Sequence, residues 1–68
     1  MAMTLAAARV NAGLTQAQAA EAIGVKPNTV SRWEKGYNDP QFKHVLKICE
    51  VYGLESYDDI IFLPKNNA

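Results

Sequence analysis

The 68-residue sequence predicts an all-α fold of five short helices. Three observations carry that expectation. Alanine, the strongest helix former, crowds the first third of the chain, in "TLAAARVNAG" and "TQAQAAEAIG". Apolar residues elsewhere recur three and four positions apart, which lines one face of a helix, and no stretch reads as a convincing strand. The length allows one domain, placed at residues 1–63, and a chain this short buries only about 60% of its unfolded surface.

The first helix is expected over about Thr4 to Ala12, closed by Gly13. Thr15 and Gln18 stand at capping-box spacing, where hydroxyl and amide each satisfy the other residue's backbone N–H, so a second helix runs from about Gln16 to Ile23. Its apolar positions Ala19, Ala20 and Ile23 share one face. Pro27 suits the first turn of a third helix, where its missing N–H would lack an intrahelical partner anyway. That helix covers about Pro27 to Lys35 and stops at Gly36; Val30 and Trp33 point inward, leaving Asn28, Thr29 and Arg32 outside. After "GYNDP" a fourth helix in "QFKHVLKICEVYG" is expected to bury Phe42, Val45, Cys49 and Tyr52. "SYDDIIFL" starts with Ser56 and Asp59 at capping-box spacing and predicts a short fifth helix with Tyr57, Ile60 and Ile61 on its apolar face. Residues 64–68, "PKNNA", read as a flexible tail.

Charge is balanced overall and uneven along the chain. Seven basic and seven acidic side chains cancel, which argues against an indiscriminate nucleic-acid binder. Residues 1–47 hold six basic side chains against three acidic, whereas residues 48–68 hold one against four. The single Cys49 excludes an intrachain disulfide and fits a reducing cytosol. With His44 it is too little for a metal site, so no metal or other cofactor is expected. The start lacks a signal peptide's basic residues, and Arg9 interrupts an apolar run too short to span a membrane, so a soluble cytoplasmic protein is expected. Paired carboxylates, a glycine-rich phosphate loop and an activated nucleophile are all lacking, which excludes the common enzyme classes.

Two short helices joined through the turn at Gly24 and Val25 make a helix-turn-helix, with Ala20 as the small residue at the crossing. In "GLTQAQAAEAIGVKPNTVSRWEKG", and in the five-helix layout from about Leu5 to Ile61, the sequence resembles the phage-repressor and Cro-like helix-turn-helix family. The resemblance implies a lambda-repressor-like DNA-binding domain whose third helix enters the major groove. It implies base contacts from Asn28, Thr29 and Arg32, with Arg32 able to offer two N–H groups to guanine and Asn28 suited to adenine. Pro27 departs from the polar side chain common at its position and offers only apolar contact, as to a thymine methyl. Phosphate contacts fall to Gln16 at the start of helix two and to Lys26, Lys35, Asn38 and Lys43 around helix three. Arg9 and Glu34 match a pair that ties helix one to the end of helix three.

The function this implies is sequence-specific regulation of transcription, most simply repression by a homodimer on a palindromic double-stranded DNA operator. Ile61, Phe62 and Leu63 offer either a dimer surface or a cap for the core. The alternative is an antitoxin-like module that uses the same fold to hold a protein partner. A complete small regulator and the DNA-binding part of a longer repressor both fit the residues.

Overall fold

In the computed structural model of the chain, which describes residues 2–64, the first two helices start where side chains supply caps. Strand β1 (Met3–Thr4) leads directly into α1 (Leu5–Asn11), and the Thr4 hydroxyl accepts from the Ala7 N–H at 3.2 Å. Next come α2 (Gln16–Ile23), α3 (Pro27–Glu34) and α4 (Phe42–Tyr52), then a single 3-10 turn (Tyr57–Asp59) and strand β2 (Ile60–Ile61). The capping box of α2 is formed in both directions: the Thr15 hydroxyl accepts from the Gln18 N–H at 3.1 Å, and the Thr15 N–H donates to Gln18 Oε1 at 2.9 Å.

One core joins these elements. Leu5 and Ala8 from α1, Ala19, Ala20 and Ile23 from α2, Val30 and Trp33 from α3, Val45, Ile48 and Tyr52 from α4, and Ile60 from β2 are all buried. Burying a side chain of Val, Ile or Leu size contributes about 1.5–3 kcal/mol, so Val30 and Trp33 anchor α3 firmly to its neighbours.

The fifth helix is not formed, and the described residues hold four α-helices with a small parallel ladder. The Ser56 hydroxyl accepts from the Asp58 N–H at 3.2 Å, one residue earlier than a capping box requires, which supports one tight turn only. The chain then extends, and Met3 pairs with Ile60 and Thr4 with Ile61. Two β-branched residues suit this pairing, and its pleat turns Ile60 inward at 7% exposure and Ile61 outward at 46%. The ladder ties the two ends of the described chain together.

The stripe of α4 also differs from expectation. Val45, Ile48 and Tyr52 form it, Cys49 is half-buried, and Phe42 is 65% exposed with its ring edge-on to Tyr57 at 6.3 Å. His44, half-buried, lies 5.5 Å from the Trp33 ring. Pro64 reaches back to the end of α3, while positions 65–68 of the expected tail lie outside the described residues. No described helix is long and apolar enough to cross a membrane.

Candidate nucleic-acid interface

The α2–α3 corner depends on two sequence features. Gly24 ends α2 at φ 93°, a conformation that a side chain with a Cβ resists, and Ala19 and Ala20 are small enough to be fully buried at the crossing. Lys26 is the N-cap of α3 without a side-chain cap bond, and Pro27 occupies the first turn. Helical phase does the rest. Val30 and Trp33 face the core, whereas Pro27, Asn28 and Arg32 are exposed and Thr29 is half-buried.

Around that outer face the exposed polar groups come from three places. Lys26 and Lys35 flank α3 at its two caps, Asn38 sits in the following loop, and Lys43 belongs to the first turn of α4. The Arg32 guanidinium carbon lies over the Tyr37 ring, 5.2 Å from its centroid. Sequence reading missed that contact, although Gly36 signals it: a left-handed residue there folds the next side chain back along the helix.

The back of α3 is held by a polar cluster. Arg9 Nε donates to Glu34 Oε2 at 2.7 Å and Arg9 Nη2 to Glu34 Oε1 at 3.2 Å, a two-pronged pair that is 14% and 7% exposed at its side chains. Arg9 Nη1 also donates to the Leu14 carbonyl at 2.8 Å, which joins α1 to the turn before α2. The bond to Glu34 raises the Arg9 pKa above its ordinary value and keeps the guanidinium charged. Gln16 Nε2 donates to Glu34 Oε1 at 2.9 Å, so this side chain faces the cluster, a partnership its position in the sequence did not reveal. Tyr52 lies beside the cluster, its phenol pushed up to about 12 by burial first and by the negative charge of Glu34 second.

The arrangement presents hydrogen-bonding side chains on a helix face whose orientation is fixed from behind. The helix-turn-helix family model matches residues 5–60. Among curated proteins, the HTH-type transcriptional regulator ImmR of Bacillus subtilis is 37% identical over 49 residues, covering 72% of this chain and 39% of that protein. The chain thus spans about two fifths of ImmR's length. An uncharacterized HTH-type transcriptional regulator of Methanothermobacter thermautotrophicus is 35% identical over 60 residues, covering 88% of this chain and 87% of that protein. No solved structure matches the chain.

Proposed function

We propose that this chain, which belongs to the Cro/C1-type helix-turn-helix family, is a repressor that binds a palindromic DNA operator as a homodimer. One observation carries the reading: the exposed face with Asn28 and Arg32 lies opposite the buried Val30 and Trp33 on a helix clamped at Glu34. In that role α3 enters the major groove. Arg32 and Asn28 read base edges, Thr29 assists at the margin, and Pro27 offers apolar contact alone. Lys26, Lys35, Asn38 and Lys43 meet phosphates, whose neutralisation releases counterions and makes affinity fall with salt.

Gln16 has a double task in this reading. A primary amide carries two N–H groups, and the bond to Glu34 uses one, leaving the other for a phosphate at the start of α2. The dimer is supported by exposed apolar side chains that a lone domain would leave wet, namely Phe42, Leu46, Tyr57, Ile61, Phe62 and Leu63. A single reading helix covers few base pairs, and two copies about 34 Å apart supply the missing specificity.

The test is selection of bound duplexes from a randomised DNA pool, followed by titration at several salt concentrations. Two inverted half-sites about one helical turn apart are expected, with binding that weakens as salt rises. Absence of binding even at low salt would overturn the reading. The same exposed apolar residues favour a second one, a module that holds another protein; a stoichiometric heteromeric complex, with no dimer of the chain alone, would support it.

A further inference from the structure

We propose that Tyr37 is a positioning residue for Arg32, holding the guanidinium ready to read a base. The inference rests on the proposed base contact of Arg32 and adds what sets that contact's geometry. It begins with the end of α3. The Gly36 N–H donates to the Trp33 carbonyl at 3.2 Å, and the Tyr37 N–H donates to the Arg32 carbonyl at 3.1 Å. With Gly36 at φ 79°, this pair of bonds is the Schellman helix terminus, in which the residue after the glycine folds back over the side chain five positions earlier.

In many such ends that contact joins two apolar side chains. Here it joins Tyr37 to Arg32, with the guanidinium carbon 5.2 Å from the ring centroid. The choice of residues is what makes the motif functional. A cation over a ring face is held through its charge, and the attraction consumes none of its N–H donors. Those donors lie in the guanidinium plane, and two of them match guanine O6 and N7 only when the plane is correctly turned. A long arginine side chain that is already turned loses less freedom on binding than one that must be ordered by the DNA.

Gly36 fixes the motif from the other side. A Cβ there would come within 2.9 Å of the Pro64 carbonyl oxygen and 3.1 Å of Leu63 Cβ, so the terminus of α3 is seated against the segment after β2. Tyr37 itself is 39% exposed, and shortening it leaves the core intact.

The experiment selects duplexes from a randomised DNA pool with the 68-residue chain and with its Arg32→Ala, Tyr37→Ala and Tyr37→Phe variants. Arg32→Ala is expected to erase preference at one base pair per half-site. Tyr37→Ala should weaken preference at that same base pair by about two- to five-fold, the scale of an exposed cation–π contact. Its preferences elsewhere and its salt dependence should stay as they were, and Tyr37→Phe, which keeps the ring, should behave like the parent. Nuclear magnetic resonance on the free chains adds a readout without DNA: the Arg32 side-chain protons lose the ring-current shift in Tyr37→Ala. An unchanged profile in Tyr37→Ala, an equal loss on all sequences, or failure of Tyr37→Phe to preserve preference overturns the proposal. If Arg32→Ala also leaves the profile unchanged, the base-contact reading itself has failed and positioning falls with it.

Discussion

The two ends of α3 are built on opposite terms. Its front end has Lys26 at the cap with no side-chain bond and Pro27 in the first turn, both exposed. At its back end Glu34 accepts from Arg9 and Gln16, while Gly36 and Tyr37 close the helix in bonds to Trp33 and Arg32. One end is tied by side chains to the rest of the protein, and the other is closed by backbone bonds alone, the Thr29 and Val30 N–H groups donating to the Lys26 carbonyl at 2.9 and 3.3 Å. This division lets a helix of eight residues be held firmly and still leave open the face proposed to read DNA, because the contacts of Glu34 lie behind it.

Five substitutions would break or sharpen that contrast. Glu34→Ala acts at the back end and has the largest expected effect, since it strands the Arg9 charge and the Gln16 amide in a mostly buried place. Urea unfolding should show a loss of about 3–5 kcal/mol. Gly36→Ala comes next, at about 2 kcal/mol from the left-handed conformation, plus whatever displacing Pro64 costs. Gly24→Ala is its control, because a Cβ at Gly24 meets nothing within 4 Å and only the conformational part applies. The difference between the two melting curves measures how firmly the segment after β2 is seated.

An effect of pH is also expected at the same end. The Tyr52 phenol titrates at about 12 in the folded chain against an ordinary 10, so the unfolded chain loses its proton first. The contribution of this phenol is therefore constant below pH 10 and falls as pH rises toward 12, by at most about 1.4 kcal/mol per unit. Tyr52→Phe should flatten that slope, and an equal slope in both chains would place the titration elsewhere.

At the front end the effect is smallest and opposite in sign. Lys26→Ser supplies the missing cap and should stabilise the fold by about 0.5–1 kcal/mol. It should also weaken DNA binding evenly across sequences, with a salt slope reduced by about one. A front end that gains stability without losing affinity would show that Lys26 makes no phosphate contact.

What could be read from the sequence follows how local its cause is. The ends of α2 and the start of α3 were legible because Thr15, Gln18, Gly24 and Pro27 act on backbone groups within a few positions. The missing fifth helix was not, since Ile60 and Ile61 are decided by pairing with Met3 and Thr4 at the far end of the chain. Phe42 was misplaced for a related reason. Its helical phase fits the stripe, but no neighbour covers the first turn of α4 enough to bury it, and Ile48 takes the central position instead. The inward and outward faces of α3 came from phase alone, whereas the pairing of Arg9 with Glu34 was suggested by family resemblance and the bonds to Leu14 and Gln16 by neither. Side-chain partners that are 18 or 25 positions apart leave no periodic trace.

The central claim is that the open face of α3 reads DNA while its back is clamped. It is tested most directly by measuring affinity of the parent chain and Arg32→Ala for a selected duplex and its single-base variants. The parent should discriminate at one base pair per half-site by roughly five- to a hundred-fold, and Arg32→Ala should lose that discrimination while unfolding at nearly the same urea concentration. Equal discrimination by both chains, or a parent chain indifferent to every base change, would contradict the account.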